Sequence, residues 1–98
     1  MKATDYHEMS LLLHKADVGD EIEVECRNMR PRRVVVSGKM SDNSQLLVTS
    51  GRVRPGHFTG GSLKDYGEGH GVMYQPTMQQ QVKYVSSLKI VRRAGNRN

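Results

Sequence analysis

Residues 21–26 read Glu-Ile-Glu-Val-Glu-Cys, a strict alternation of acidic and apolar side chains. Successive side chains of a β-strand point to opposite faces, so this pattern predicts a strand with one charged face in solvent and one apolar face in a core. Half-buried strands of this kind are typical of antiparallel sheets. Cys26 lies in the apolar phase, which indicates a small core residue. The rest of the chain must therefore supply further strands and a cover for the apolar face.

The chain before this strand predicts a short helix. Apolar side chains recur there at the spacing of one helical face: Met9, Leu12, Leu13 and Ala16. Thr4 is the expected N-cap, and Gly19 ends the pattern. We expect a helix over residues 4–16 that packs one face against the strands.

Further strands are predicted after the first. Residues 32–40 are rich in valine, and Gly38 is expected to mark a bulge or a bend. Residues 45–50 contain three successive apolar residues, so we expect Leu47 to be a core residue, as is Val24 in the first strand. Near the C-terminus, residues 79–85 and 88–92 predict two strands joined by a turn or kink at two serines.

Residues 51–71 differ in composition from the predicted strands. Seven of these 21 residues are glycine, and we expect a long glycine-rich loop or a pair of ragged strands. Loops of this length in a compact domain are usually functional or mobile. The run Gly67-Glu68-Gly69-His70-Gly71 is not a phosphate-binding loop, because it lacks the lysine and no helix follows it.

One short helix and five or six short strands predict a mainly β protein, a small antiparallel barrel with an N-terminal helix and a long glycine-rich loop. Closing the sheet removes exposed strand edges, which a small sheet must protect. A chain of 98 residues has room for one modest core, so we expect a single domain over residues 1–93 and a flexible basic tail over residues 94–98.

The order of the elements resembles that of Sm-like barrels, over residues 19–48 and 82–91. The binding residues of that family are not matched, because Asp42 and Asn43 lie closer to Gly38 than the family pattern requires. Ser86 and Ser87 stand where the family has Arg-Gly. The resemblance therefore implies a shape only, and SH3-like and OB-type barrels are equal alternatives.

Charge is distributed unevenly along the chain. Residues 1–25 hold seven acids against two lysines, whereas residues 26–98 hold thirteen Lys and Arg against three acids. Four arginines fall within residues 27–33, between the acidic strand and the valine-rich one. We interpret this stretch as the tip or the shoulder of the first β-hairpin and as a candidate contact surface for a polyanion.

The main functional hypothesis is binding of DNA or RNA through phosphate contacts, with little base specificity. Arginines outnumber lysines nine to six, and the planar guanidinium suits phosphate. Four aromatic residues are candidates for base stacking: Phe58, Tyr66, Tyr74 and Tyr84. Phe58 is preferred because a loop near Arg52 and Arg54 could present it, whereas the alternative takes Tyr74 and Tyr84 as core and the arginines as solvated. The candidate nucleic-acid-binding residues are Arg27, Arg30, Arg32, Arg33, Arg52, Arg54, Phe58, Lys83, Lys89, Arg92 and Arg93.

The alternative hypothesis is a structural or assembly module of the kind found in viruses and mobile elements. In this hypothesis the acidic first strand of one copy meets the basic surface of the next, which gives a homo-oligomer.

No pattern indicates catalysis, a metal or a cofactor, and we expect none. His57, Asp65, Glu68 and His70 cluster in the glycine-rich segment, but catalytic groups need rigid support. The single cysteine favours a reducing, cytoplasmic location. No segment approaches the roughly 20 apolar residues of a membrane span, so we expect no membrane partner.

Overall fold

The computed structural model describes residues 2–41, 44–50, 61–77 and 79–94. Within them, one helix precedes a closed six-stranded antiparallel β-barrel, which confirms the predicted fold class. The elements are β1 (Lys2–Ala3), α1 (Tyr6–Lys15), β2 (Glu21–Cys26), β3 (Arg32–Lys39), β4 (Gln45–Ser50), β5 (Gly61–Asp65), β6 (Val72–Gln75) and β7 (Lys83–Arg92).

The barrel is a meander in which each strand from β2 to β7 pairs with its neighbour in the chain, and β7 pairs with β2 to close the sheet. One edge of β7 pairs with β2. The other edge pairs with β6 near its start, where Tyr84 faces Met73, and with the short strand β1 near its end, where Lys89 faces Lys2. The long strand β7 therefore joins three partners.

The N-cap of α1 is Asp5 and not the predicted Thr4. The Asp5 carboxylate accepts a hydrogen bond from the Glu8 backbone N–H at 2.8 Å, and the Glu8 side chain accepts one from the Asp5 backbone N–H, which together form a capping box. At the other end, Lys39 Nζ donates to the carbonyl oxygens of His14 and Ala16 at 2.7 and 2.8 Å. Both ends of the helix thus have partners for their free backbone groups.

The core fills the barrel and the space beneath the helix. Buried apolar residues alternate along the strands and continue onto α1: Met9, Leu13, Ala16, Ile22, Val24, Cys26, Val34, Val36, Leu46, Val48, Leu63, Val72, Tyr74, Val85 and Leu88. The prediction for Val24 is confirmed, but that for Leu47 is wrong. Leu46 and Val48 point inward, so Leu47 between them points outward and is 43% exposed.

The two predicted C-terminal strands form one strand, β7. Glu25 of β2 pairs with Ser87 and Cys26 pairs with Val85, so Ser86 is an extra residue. This bulge is stabilised by the Ser86 hydroxyl, which donates to the carbonyl oxygen of Glu25 at 2.9 Å. The predicted kink at the serines is therefore confirmed, whereas the prediction of two separate strands is wrong. The bulge predicted at Gly38 is confirmed by a register shift between Val36 and Gly38 in the pairing of β3 with β4.

The glycine-rich segment, predicted to be a long loop or a pair of ragged strands, contains one strand in its described part. Residues 61–65 form β5, which pairs with β4 on one side and β6 on the other. Its first residue must be glycine, because a Cβ at Gly61 would lie 2.7 Å from the carbonyl oxygen of Gln75. The expectation for residues 51–60 lies outside the described residues.

Candidate nucleic-acid interface

Because neighbouring strands run in opposite directions, alternate connections gather at the same end of the barrel. The β2–β3 turn (residues 27–31) and the β6–β7 connection (residues 76–82) lie at one end, where β4 also stops and β5 starts. We call this the arginine end. The α1–β2 turn, the β3–β4 turn, the β5–β6 connection and the end of β7 lie at the opposite end, which we call the helix end because α1 covers it.

The β2–β3 turn presents two arginines to solvent. Its conformation is held by a hydrogen bond from the Met29 N–H to the carbonyl oxygen of Cys26 at 3.2 Å, and by Asn28 in the left-handed region at φ 62°. The Met29 side chain packs against the core. With the turn anchored in this way, Arg27 and Arg30 are exposed at its tip, as the hairpin interpretation predicted.

The side chains of Arg32 and Lys83 begin on the inner face of the barrel, close to the arginine end. Arg32 pairs with the buried Val24 and Lys83 pairs with the buried Tyr74, and cross-strand partners share a face of the sheet. Both charged side chains are exposed, so they emerge from the mouth of the barrel. Arg32 also hydrogen-bonds to the Tyr74 hydroxyl. Burial raises the pKa of Tyr74, and this bond opposes the rise.

Cys26 lies beneath these two cations but stays a core residue. Burial raises the pKa of its thiol, although the charges of Lys83 and Arg32 act in the opposite direction. A buried thiol with a raised pKa is a poor nucleophile, which agrees with the structural role predicted for it.

Arg33, Lys89 and Arg92 lie on the outer face of the barrel, beside the glutamates of β2. Glu23 of β2 has Arg33 opposite it on β3 and Lys89 opposite it on β7, while Glu21 has Arg92 opposite it. These predicted phosphate contacts are therefore next to carboxylates of the same chain.

The third glutamate of β2, Glu25, has a direct ion pair. Lys2 Nζ lies 3.0 Å from Glu25 Oε2, and the Ser87 hydroxyl donates to the same oxygen at 2.7 Å. The Ser87 hydrogen bond, followed by Lys2, lowers the pKa of Glu25. The acidic face of β2 is thus matched by basic and polar groups of the neighbouring strands.

Arg93 belongs to the helix end. Its guanidinium lies 3.6 Å from a carboxylate oxygen of Asp20 and 3.7 Å from one of Asp17. Asp20 is 1% exposed and accepts hydrogen bonds from the backbone N–H groups of Asp17 at 2.9 Å and Ala94 at 2.7 Å. This contact connects the end of β7 to the α1–β2 turn, so the ion pairs of Arg93 stabilise the fold at the helix end.

Arg52, Arg54 and Phe58 lie outside the described residues. They belong to residues 51–60, which connect the end of β4 to the start of β5. Their role in binding stays a prediction.

The sequence interpretation preferred Phe58 to Tyr84 as the residue that stacks on a base. Tyr84 is 67% exposed, so the alternative that took both tyrosines as core is wrong for Tyr84 and confirmed for Tyr74. The available signal was the phase of β7: Val85 faces inward, so its neighbour Tyr84 faces outward. The Ser86 bulge obscured that phase, because it breaks the alternation immediately after Val85.

Asp65 of the glycine-rich segment is half-buried and hydrogen-bonds to the helix. It accepts hydrogen bonds from the Ser10 hydroxyl at 2.7 Å, from the Gly67 N–H at 2.8 Å and from the Tyr6 hydroxyl. Glu68 lies 3.9 Å from His7, with both side chains exposed. In the part of the chain that the structure describes, no three His, Cys, Asp or Glu side chains are grouped closely enough to hold a metal ion.

Comparison with known proteins gives no relative: no protein-family model, no curated protein and no solved structure matches the chain. Among the residues with described positions, no helix is long and apolar enough to cross a membrane. The geometry and charge of the two barrel ends are therefore the basis for a functional proposal.

Proposed function

We propose that the protein is a small nucleic-acid-binding β-barrel that contacts phosphates through its arginine end, with little base specificity. The observation that supports this proposal is the charge of the connections at that end. In their described part, residues 27–32, 76–77 and 79–83, these connections contain four Lys and Arg and no Asp or Glu. A surface of one sign attracts a polyanion from a distance and holds it at short range.

The described cations of the arginine end are available for phosphate. Arg27, Arg30, Arg32 and Lys83 are exposed, and none of the ion pairs between described residues involves them. A phosphate that binds there does not have to displace a carboxylate. Arginine also offers two parallel N–H donors to one phosphate, which strengthens each contact.

Contacts of this kind do not distinguish bases. Phosphates are the same at every position of a nucleic acid, so arginine–phosphate contacts fix position and affinity without sequence information. Both DNA and RNA are therefore expected partners. A cytoplasmic location, which the single cysteine favours, is part of the same proposal.

The self-association hypothesis has less support in the structure. It used the glutamates of β2 as one contact surface, but Lys2 pairs with Glu25 and the partners of Glu21 and Glu23 on adjacent strands are basic. A second copy would compete with these neighbours for the same carboxylates. The hypothesis stays untested, and the oligomeric state in solution is its direct measurement.

The proposal is tested by the salt dependence of nucleic-acid affinity, measured by fluorescence anisotropy with labelled 20-nucleotide DNA and RNA. We compare the double variant Arg27→Ala/Arg30→Ala with the control Lys89→Ala/Arg92→Ala, which removes the same charge from the outer face. Each lost phosphate contact lowers the slope of log K against log salt by about 0.7–0.9. We expect the first variant to lose about 1.5 units of slope and the control to lose almost none.

Two results would contradict the proposal. One is the absence of binding by the wild-type protein at low salt. The other is an equal loss of slope in the two double variants, which would show that net charge matters and its position does not.

A further inference from the structure

We propose that the Tyr84 ring is a stacking platform for an unpaired base, so that the arginine end takes single-stranded nucleic acid in preference to duplex. This inference rests on the proposed function and adds the class of substrate to it. It is carried by the position of one aromatic ring among the cations described above.

The Tyr84 side chain is largely exposed to solvent. At 67% exposure it is the most exposed of the large hydrophobic side chains whose burial is described. It lies near the start of β7, at the arginine end, and its outward phase follows from the inward phase of Val85. Val82, just before the strand, is also exposed. Apolar surface left in water next to a basic patch is a mark of a binding surface.

The neighbours of Tyr84 suit a nucleotide. Cys26 and Val85 are paired, so Arg27, which follows Cys26, and Tyr84, which precedes Val85, both leave this pair toward the arginine end. On the other side the ring has Met73, its cross-strand partner on β6. Lys83 precedes it in the strand and emerges from the barrel mouth. A base stacked on the ring would therefore lie at the end of the barrel where the exposed cations Arg27 and Lys83 are.

The other three tyrosines are not free to stack. Tyr74 is buried in the barrel, and Tyr6 is half-buried and hydrogen-bonds to Asp65. Tyr66 is exposed, but Lys64 Nζ lies over its ring, 5.0 Å from the centroid. Among the tyrosines, Tyr84 alone offers an open ring face at the arginine end.

An open ring selects for single strands because of how duplexes are built. The faces of paired bases are covered by their neighbours in the stack, and only base edges reach the grooves. A single strand can turn a base out and place its face on an aromatic ring. Every base has such a face, so stacking adds affinity without strong sequence preference, which agrees with phosphate contacts that do not read sequence.

The test compares four probes of equal phosphate number: single-stranded DNA and RNA 12-mers of mixed pyrimidines, the abasic DNA 12-mer, and a short DNA duplex. We expect the pyrimidine strands to bind more tightly than the abasic strand and the duplex. Tyr84→Ala is expected to weaken binding of the pyrimidine strands by about 5- to 150-fold and to leave the abasic strand unchanged. Tyr84→Phe keeps the ring face and is expected to bind like wild type.

Tyrosine fluorescence gives a second readout, since the chain has four tyrosines and no tryptophan. A stacked base quenches the emission of the ring beneath it. We expect quenching when wild-type protein binds a pyrimidine strand, and much less quenching in Tyr84→Phe at the same affinity. Tyr66→Ala is the matched control, and we expect it to retain both affinity and quenching.

The outcomes separate this inference from the function beneath it. If Tyr84→Ala binds the pyrimidine strands as tightly as wild type while Arg27→Ala/Arg30→Ala binds weakly, stacking is wrong and phosphate binding stands. Duplex affinity equal to single-strand affinity overturns the preference in the same way. If wild-type protein binds none of the probes at low salt, both proposals fall.

Discussion

The helix end and the arginine end of the barrel treat charge in opposite ways. At the helix end, the described acids have partners within the chain: Asp17 and Asp20 face Arg93, Asp65 accepts from Ser10, and Glu68 lies near His7. At the arginine end, the exposed cations have no carboxylate near them among the described ion pairs. Charged groups at the helix end are paired with groups of the same chain, whereas the described cations at the arginine end face solvent.

This difference assigns the two ends different roles. Ion pairs and hydrogen bonds within the chain hold α1, β5 and β7 together. Like charges gathered at one end repel each other and lower stability, so their concentration is better explained by a binding partner than by folding. Substitutions at the helix end should therefore change the free energy of unfolding, and those at the arginine end should change affinity.

The largest effect on stability is expected for Leu13→Ala. Leu13 is 0% exposed and lies on the face of α1 that packs on the core. Its truncation leaves a cavity between the helix and the strands, which costs about 2–5 kcal/mol of unfolding free energy. Urea denaturation followed by circular dichroism measures this loss.

Leu11→Ala is the control for that measurement, since Leu11 is 53% exposed on the same helix. We expect a change of at most about 0.5 kcal/mol, as for other surface substitutions. Equal losses in the two variants would mean that α1 does not pack on the barrel through the Leu13 face, and the contrast between the ends would lose its structural basis.

A smaller effect is expected for Asp20→Ala at the same end. The buried carboxylate of Asp20 accepts from two backbone N–H groups, those of Asp17 and Ala94, and also faces Arg93. Removing it leaves these donors without a buried acceptor, at a cost of about 1–3 kcal/mol. Nucleic-acid affinity at a temperature where the variant is folded should not change. A parallel loss of affinity would mean that the two ends are coupled.

Much of the fold could be predicted from sequence because its elements have clear local patterns. The alternation of residues 21–26 and the apolar stripe of the helix each have one interpretation. Patterns failed where a run of apolar residues hides the phase, as at Leu47, or where a bulge interrupts it, as at Ser86. Register and bulges depend on partner strands, which a local pattern does not contain.

The candidate site was less predictable, since it is defined by topology. Clustered arginines on the β2–β3 turn were visible in the sequence, but their grouping with Lys83 requires the order of the strands. The separation of Arg33 and Lys89 from this group requires the register that places both beside Glu23. Charge counting along the chain cannot distinguish a cation beside a carboxylate from one without a partner.

The smallest effect is the pH dependence that Asp65 adds at the helix end. Burial acts to raise the pKa of Asp65, but hydrogen bonds from Ser10, Gly67 and Tyr6 outweigh it, and the pKa is lowered overall. A lowered pKa in the folded state means that this carboxylate stabilises the fold above its ordinary pKa of about 3.9. That stability is lost as the pH falls through the folded-state pKa.

We therefore expect the unfolding free energy to decline less steeply in Asp65→Asn than in wild type as the pH is lowered below about 4, measured by urea denaturation. Glu25, whose pKa is also lowered, titrates in both proteins, so the difference between the two profiles isolates Asp65. Glu68→Gln, in the same connection, is the control and should follow wild type. The variant should also bring the pKa of Tyr6, which the hydrogen bond to Asp65 raises, back toward its ordinary value in an absorbance titration. If both the acid profile and the tyrosine titration are unchanged, the contact between α1 and β5 through Asp65 does not form in solution.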